Sequence, residues 1–439
     1  MKHNDHKELE QYRTEISRCV RCGSCSTVCP SFLADRRESR SPRGRMALID
    51  AVLNGAIGAS DLYQDRLATC TGCLACEAQC ASGVPAATII QAAKAEAFAE
   101  KGPGIIGRAV SLSLRHPSLM ASLAWLAPVA LRYSGEAVRG RPVDGSRTRR
   151  RSSGPGPAGA GQGKKGGRVV FFPGCAVRHF RPDIGEAART VLEYLGNEVI
   201  IPDDAGCCGR PFLSLGDRDA AQELALRNTD MLAAAGADAV VTACASCGLT
   251  FKKEYPALLA SAGRSPVPVL DIHELLAGRI KGLDLAPKSR HVTWHDPCHL
   301  GRGQALGRTA RDVLRAIPGL VLTEMREPGR CCGFGGVMRA THPSLSTTIG
   351  EAKARDVMAT GAPLVVTGCP GCMMQITDAL RRAGSGAEVV HTVQVIAEAF
   401  REGRRGDAAT RGQGDEEPTS RELQAAACRI NSSGGGDGA

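Results

Sequence analysis

The sequence predicts an α+β multidomain protein, in which an all-α N-terminal domain precedes two duplicated α/β domains with parallel sheets. Two observations carry this prediction. The first hundred residues contain helix-favouring segments such as MALIDAVL and ATIIQAAKAEAFAE. From Val169 to Phe400 the chain repeats its pattern with an offset of 123 to 125 residues, measured between matching cysteines. In each copy short β-branched runs alternate with helical segments, which is the order that builds a parallel sheet.

Composition divides the chain into six consecutive segments. The linker between the first and second halves is rich in Gly, Pro and Ser, which cannot build a packed element. The C-terminal tail is polar and Gly-rich, which predicts disorder. The predicted segments are a helical domain (1–100), a helical connector (101–138), a basic linker (139–168), two α/β domains (169–290 and 291–402) and a disordered tail (403–439).

The net charge of +10 does not indicate a nucleic-acid partner. Residues 139–168 hold nine Arg or Lys against one Asp, so most of the excess charge lies in a solvated linker. Aromatic residues make up only 4% of the chain, which supplies few platforms for base stacking. We therefore expect no nucleic acid among the partners.

The N-terminus MKHNDHKELEQYR has no apolar stretch typical of a signal peptide, so we expect a cytoplasmic protein with reduced thiols. Residues 105–132 are apolar, but Arg115 and His116 interrupt them. The uncharged remainder is shorter than the about 20 residues that a spanning helix needs. A peripheral position at the inner face of the membrane remains an alternative to a free cytoplasmic one.

Eight of the 19 cysteines form two copies of C-x2-C-x2-C-x3-C, a spacing typical of [4Fe-4S] ligands. In two-cluster ferredoxins the last cysteine of each run binds the other cluster, and the same crossing is predicted here. Zinc is the alternative, but its sites use C-x2-C pairs with longer spacers. The predicted ligand sets are Cys19, Cys22, Cys25 and Cys80 for one cluster, and Cys70, Cys73, Cys76 and Cys29 for the other.

Ten further cysteines form one five-cysteine pattern twice: a single Cys, a Cys-Cys-Gly and a C-x2-C. Each group follows a predicted strand, so the sulfurs of one copy should meet at one edge of its sheet. Five thiolates exceed the four of a cubane, which suggests a larger or non-cubane cluster or a spare thiol; buried free cysteines are the alternative. Cys428 has no neighbours at ligand spacing. The two sets are Cys175, Cys207, Cys208, Cys244 and Cys247, and Cys298, Cys331, Cys332, Cys369 and Cys372.

This order of motifs resembles the iron–sulfur subunit of glycolate oxidase. It is similar also to the iron–sulfur subunits of lactate dehydrogenases and anaerobic glycerol-3-phosphate dehydrogenase, and to the fused catalytic subunit of heterodisulfide reductase. The resemblance covers about residues 10–400 and rests on SPRGRMALI (41–49), CTGCLACEAQCASGV (70–84) and both Cys-Cys-Gly sequences. In heterodisulfide reductase each five-cysteine motif holds a non-cubane [4Fe-4S] cluster. The resemblance therefore implies one or two clusters beyond the two of the ferredoxin domain.

The first functional hypothesis is an electron-transfer subunit of a 2-hydroxy-acid oxidoreductase. The resemblance implies an FAD-dependent glycolate or lactate dehydrogenase as partner, and a quinone or another acceptor for the electrons. Hydroxy-acid oxidation removes two electrons and iron–sulfur clusters carry one, so a flavin is needed between them. We expect this flavin on a partner, because Gly301, Gly303 and Gly307 have the wrong spacing for a dinucleotide site in this chain.

The second hypothesis is a catalytic subunit that reduces a disulfide at the Cys-Cys-Gly clusters. His179, His295 and His299 lie within four residues of ligand cysteines and would supply protons in that case. In the first hypothesis they only hydrogen-bond near the clusters. No catalytic residues are assigned. A non-redox scaffold is disfavoured, because four cluster sites are more than the chain would need for folding alone.

Overall fold

This computed structural model describes residues 7–116 and 166–400. Within residues 7–116 the regular elements are α-helices and short 3₁₀ turns, as the sequence predicts. The helices are α1 (Lys7–Glu10), α2 (Arg13–Ser17), α3 (Pro30–Asp35), α4 (Pro42–Leu53), α5 (Asp61–Ala68), α6 (Ala75–Ala78), α7 (Ala86–Lys101) and α8 (Ile105–Arg115).

Helices α4, α5 and α7 form the core of this helical region. Ser41 caps α4 by accepting a hydrogen bond from the Gly44 N–H, and Pro42 occupies the first turn, where no N–H is needed. Buried Ile49 from α4, Leu67 from α5 and Ile89 from α7 pack in one cluster. The packed helices fix the two loops that carry the eight N-terminal cysteines.

The first repeat is a four-stranded parallel sheet with the strand order β2-β1-β3-β4. Its strands are β1 (Arg168–Phe171), β2 (Glu198–Ile200), β3 (Ala239–Thr242) and β4 (Val269–Asp271). Its helices are α9 (Gly174–His179), α10 (Pro182–Tyr194), α11 (Arg210–Leu215), α12 (Arg218–Ala234), α13 (Ala245–Leu249), α14 (Tyr255–Ala260) and α15 (Ile272–Ala277), with a π-helical turn (Thr250–Glu254) between α13 and α14.

The second repeat has the equivalent order β6-β5-β7-β8, again with all strands parallel. The parallel sheets predicted from the alternation of strands and helices are thus confirmed. The strands are β5 (Arg290–His295), β6 (Leu320–Glu324), β7 (Leu364–Thr367) and β8 (Glu388–His391). The helices are α16 (Cys298–Gln304), α17 (Gly307–Arg315), α18 (Met338–Thr341), α19 (Pro343–Met358) and α20 (Pro370–Arg382).

Each sheet has one strand that the sequence analysis did not identify. Strands β4 and β8 lie at one edge and cover only three and four residues. Short runs such as VPVLD and AEVVH give no periodic signal of their own, since strands this short are recognised mainly through their partners.

The two repeats pack against each other through a shared hydrophobic core. Phe171 of the first sheet and Trp294 of the second belong to one continuous cluster of buried side chains. Near the cysteines, the Gln304 side chain of α16 donates to the Ala245 carbonyl of α13 over 3.0 Å, and the Ala245 N–H donates to the Gly368 carbonyl over 3.2 Å. The cysteine-bearing edges of both sheets therefore face one another.

Part of the apolar stretch 105–132 belongs to α8, which ends at Arg115. In the described part of the chain, every helix is too short or too polar to cross a membrane. Residues 117–132, nearly all of the basic linker and the C-terminal tail with Cys428 lie outside the described residues.

Candidate iron–sulfur sites

The two N-terminal cysteine loops share an unusual backbone conformation. Left-handed residues flank the second cysteine of each loop: Arg21 (φ 54°) and Gly23 (φ 85°) surround Cys22, and Gly72 (φ 64°) and Leu74 (φ 62°) surround Cys73. A left-handed Arg or Leu is strained, and such strain is typical of functional loops. The repeated C-x2-C-x2-C spacing therefore corresponds to a repeated loop shape.

Cys29 lies with the cysteines of the other loop. It lines the same small cavity as Cys70, Cys73 and Cys76, which is the grouping expected if the last cysteine of each run crosses over. Burial raises the pKa of Cys29 and of Cys76, so neither forms a stable thiolate without a nearby cation. The division of the eight ligands between two clusters stays a prediction, including the place of Cys80.

The SPRGRMALI segment contributes a buried arginine to this site. Arg45 is only 1% exposed. It donates from Nε to the Arg66 carbonyl over 2.8 Å and from Nη2 to Thr69 Oγ1 over 2.8 Å. Ser31 donates to the Thr69 carbonyl over 2.6 Å. Arg45 therefore anchors the chain just before Cys70, a role that sequence analysis did not identify.

The five-cysteine sets lie at the carboxyl ends of the strands. Cys175 and Cys298 lie in the first turns of α9 and α16, and Cys244 and Cys369 are the N-caps of α13 and α20. The Cys-Cys pairs occupy the loops after β2 and β6. Each pair is followed by a glycine with φ of 91°, Gly209 in the first repeat and Gly333 in the second. The glycine N–H donates to the first sulfur of its pair over 3.4 Å in both repeats.

Within each set the thiols are neighbours in the same order, as shown by which thiol perturbs the pKa of which. In the first repeat the chain of contacts runs through Cys175, Cys207, Cys208, Cys247 and Cys244. In the second it runs through Cys298, Cys331, Cys332, Cys372 and Cys369. The sulfurs of Cys332 and Cys372 are 3.4 Å apart. The adjacent Cys207 thiol lowers the pKa of Cys208, and the adjacent Cys331 thiol lowers that of Cys332.

The cysteine sets also contact each other. The thiols of Cys244 and Cys369 are neighbours across the boundary between the repeats, and each perturbs the pKa of the other. The Cys73 thiol of the helical region is likewise a neighbour of the Cys331 thiol in the second repeat, and the two perturb each other's pKa. The cysteine contacts are therefore continuous from the helical region into the second repeat and from there into the first.

The residues of the five-cysteine sets fit an iron–sulfur group. Four cysteines of each set are buried, and the first is partly buried, so several adjacent thiolates would repel one another there unless a cation compensated them. Five sulfurs exceed the four ligands of a tetrahedral zinc site. Beside the second set, both ring nitrogens of buried His295 have no hydrogen-bond partner among the described residues. Such an orphaned group indicates a polar neighbour at that place.

Of the three histidines near the cysteines, His299 lies where all three parts of the chain meet. Its Nε2 donates to the Gly72 carbonyl over 3.2 Å, and its Nδ1 accepts from Ser246 Oγ over 2.9 Å. Burial lowers the pKa of His299 to about 4, so it is neutral at pH 7. On the same helix, Arg302 Nε donates to the Cys73 carbonyl over 2.8 Å. His179 is only half-buried.

Two further histidines are structural. His273 shares hydrogen bonds with Asp271 Oδ1 (2.6 Å) and Thr392 Oγ1 (3.0 Å), linking the ends of β4 and β8. His391 lies 6.5 Å from His273, measured between ring centres, and its Nδ1 accepts from the Val393 N–H. Both are fully buried.

Two protein-family models match the cysteine-bearing parts of the chain. A 4Fe-4S dicluster domain matches residues 15–84. A cysteine-rich domain, called CCG, matches twice, at residues 169–252 and 292–377. The two CCG matches contain both five-cysteine sets.

Several curated proteins are similar to this chain. One of the subunits of the fumarate reductase (CoM/CoB) of Methanothermobacter marburgensis is 39% identical over 54% of this chain and 47% of its own length. The chain thus spans about half the length of that relative. The probable glycolate oxidase iron–sulfur subunit of Bacillus subtilis is 29% identical over 88% of this chain and 94% of its own. One of the subunits of the dihydromethanophenazine:CoB–CoM heterodisulfide reductase of Methanosarcina barkeri is 28% identical over the same shares.

Among solved structures, a putative Asp/Glu racemase from Yersinia pestis matches 54% of this chain and 99% of its own, at 16% identity and a TM-score of 0.27. That similarity is too low to indicate a shared fold. The matches over most of the chain and the three cysteine-rich domains agree on one family. The chain is a homologue of glycolate oxidase iron–sulfur subunits and of the matching heterodisulfide reductase subunits, with one 4Fe-4S dicluster domain and two CCG domains.

Proposed function

We propose that this chain is the electron-transfer subunit of a glycolate oxidase type complex. It would take electrons from an FAD-dependent 2-hydroxy-acid dehydrogenase, with glycolate or lactate as substrate, and pass them to a quinone or another acceptor. The observation that carries the proposal is the series of neighbouring cysteines through Cys73 and Cys331 and then through Cys369 and Cys244, whose segments are also joined by backbone and Arg302 hydrogen bonds. Electron relay needs such short separations between redox groups.

Bound iron–sulfur clusters supply reversible one-electron chemistry. The contribution of this chain is to hold the ligands and exclude water. Cys73, Cys331 and Cys369 are buried. Arg302 joins the two sides of the Cys73–Cys331 contact, since it donates to the Cys73 carbonyl and to the Gly329 carbonyl over 2.9 Å. A guanidinium beside these sulfurs also favours added negative charge there.

A separate flavoprotein partner is supported by the conformation of the glycine segment. Gly301 and Gly303 lie inside α16, and Gly307 begins α17. A dinucleotide-binding glycine motif instead opens the turn between a strand and a helix. The oxidation of the hydroxy acid is therefore proposed to occur on the partner. The proposed role of this chain is to bind two [4Fe-4S] clusters at its eight N-terminal cysteines and to relay the electrons.

A second function is favoured by the contact between the two five-cysteine sets. Cys244 and Cys369 bring the sets together, so a disulfide substrate bound between them would have one redox site beside each sulfur. Two electrons and two protons would convert R–S–S–R′ into two thiols, R–SH and R′–SH. The similarity to the heterodisulfide reductase of Methanosarcina barkeri supports this alternative.

Metal analysis tests the ligand assignments. The full chain, purified without oxygen, should contain more than the about eight irons that two [4Fe-4S] clusters take. It should hold little zinc. Iron and sulfide for two clusters only would contradict the role of the ten Cys-Cys-Gly cysteines as ligands.

Electron transfer distinguishes the two functions. Glycolate or lactate, added with an FAD-dependent dehydrogenase encoded beside this gene, should reduce the clusters, as followed by electron paramagnetic resonance (EPR). The chain alone, supplied with an artificial donor, should not reduce a disulfide. Turnover of a disulfide without the flavoprotein would refute the relay proposal and support the second function.

A further inference from the structure

The two repeats differ at one buried position beside their cysteine sets. Phe171 pairs with Val241 in the first sheet, and Trp294 pairs with Val366 in the second. Each of these valines lies three residues before the first cysteine of the C-x2-C in its repeat. The next residues, Phe172 and His295, are therefore equivalent. Each lies three residues before the first cysteine of its set.

His295 is buried next to the sulfurs of the second set. It is 1% exposed, and neither Nδ1 nor Nε2 has a hydrogen-bond partner among the described residues. A ring nitrogen and the sulfurs of Cys332 and Cys372 all lie within 4.8 Å of one another. A buried N–H is costly unless it is paired. The group that the cysteines hold is the available partner.

Phe172 gives the first repeat no such donor. It is fully buried, and its ring packs edge-on against Phe251 with 4.9 Å between the ring centres. The first cysteine set therefore has an apolar side chain where the second has an imidazole.

We infer that His295 donates its N–H to a sulfur of the iron–sulfur group in the second repeat, so that this group has a higher reduction potential than the one in the first repeat. A hydrogen bond to a cluster sulfur stabilises the extra negative charge of the reduced form. The inference rests on the proposal that both five-cysteine sets hold iron–sulfur groups. Electrons entering through Cys73 would then collect first in the second repeat, which Cys73 contacts through Cys331.

The test is a redox titration of the full chain, followed by EPR, on three variants. His295→Phe copies the first repeat, and His295→Gln keeps an N–H donor. His291→Phe is the matched control, because His291 lies on the same strand and its Nε2 shares a hydrogen bond with Thr323 Oγ1 (2.8 Å) away from the cysteines.

His295→Phe should shift one Cys-Cys-Gly cluster signal to lower potential and reduce the difference between the two repeats. His295→Gln should restore part of the shift, and His291→Phe should leave every potential unchanged. Unchanged potentials in His295→Phe, with iron content and all signals retained, would overturn the inference. Absence of both Cys-Cys-Gly signals from the unmutated chain would instead refute the proposed function.

A second measurement covers the case in which His295→Phe does not assemble its cluster. The unmutated chain, labelled with ¹⁵N-histidine, should show a nitrogen coupling to one Cys-Cys-Gly cluster in pulsed EPR. The coupling should persist in His299→Gln, which removes the neighbouring imidazole, and should disappear in His295→Gln. A chain with assembled clusters and no His295-dependent coupling would overturn the inference.

Discussion

Replacing the glycine after each Cys-Cys pair should affect the two repeats unequally. Gly209 and Gly333 have the same φ of 91°, so a side chain at either position is strained. Their surroundings differ. A Cβ on Gly333 would lie 2.8 Å from the Ser346 carbonyl oxygen and 2.9 Å from the Cβ of Ile349, both on α19. A Cβ on Gly209 would meet its nearest neighbour, in Ala221, at 3.5 Å, which is ordinary contact.

The expected magnitudes follow from these two terms. Left-handed backbone costs an alanine about 1–2 kcal/mol. Overpacking against α19 adds about 1–3 kcal/mol. Gly209→Ala should therefore lower the free energy of unfolding only by the backbone amount, about 1–2 kcal/mol, whereas Gly333→Ala should lower it by roughly 2–5 kcal/mol. Gly384→Ala is a matched control, because Gly384 has φ of 69° and no atom within 4 Å of the added Cβ.

The assay is thermal unfolding of the cluster-loaded chain, with iron content measured on the same samples. Each kcal/mol corresponds to about 2–4 °C in the melting temperature for a unit of 150–250 residues. Gly333→Ala should melt several degrees below Gly209→Ala, which should match Gly384→Ala. Because Gly333 follows Cys332 directly, iron should also be lost from the second repeat. Equal melting temperatures for Gly333→Ala and Gly209→Ala would refute the steric argument.

Three further predictions follow from single contacts. Arg45→Lys should lower the iron content by up to one cluster, because an ammonium lacks the rigid planar fork with which the guanidinium holds the Arg66 carbonyl and Thr69 Oγ1; unchanged iron would contradict that role. Cys207→Ser should remove iron from the first repeat whereas Cys428→Ser should not, as metal analysis of both variants would check. Burial lowers the pKa of His391 to about 4. Between about pH 6.5 and 4 the unfolded chain therefore binds a proton at this residue that the folded chain does not, so the stability of the fold decreases as the pH falls through that range. His391→Gln should remove about 1 kcal/mol of the loss between pH 7 and 5.5, and identical pH profiles would contradict the assignment.

The cysteine spacing and the duplication predicted much of this molecule because both are local signals. Each Cys-Cys-Gly group follows a run of apolar β-branched residues, so the position of the sulfurs at the strand ends could be read directly. The family was predicted on the same residues, and the comparisons confirm it. The domain limits and the individual ligands stay predictions.

Other features could not be predicted from the sequence, because they depend on segments that are distant in the chain. Strands β4 and β8 are recognisable only beside β3 and β7, which supply their hydrogen bonds. Arg45 was visible within a motif, but its partners lie 21 and 24 residues away. His295 looked like one of three similar histidines until its unpartnered nitrogens and its counterpart Phe172 set it apart.

The sequence alone determined that the chain carries two ferredoxin-like cysteine runs and two copies of a five-cysteine pattern on parallel α/β repeats. Periodicity and spacing are properties of neighbouring residues, so they can be read without a structure. Only the tertiary structure decided that Cys73 meets Cys331 and that Cys369 meets Cys244. Those contacts join residues 125 to 258 positions apart in the chain. They form because the two sheets share one hydrophobic core, and because His299 and Arg302 hydrogen-bond to the backbone of the Cys70–Cys76 loop.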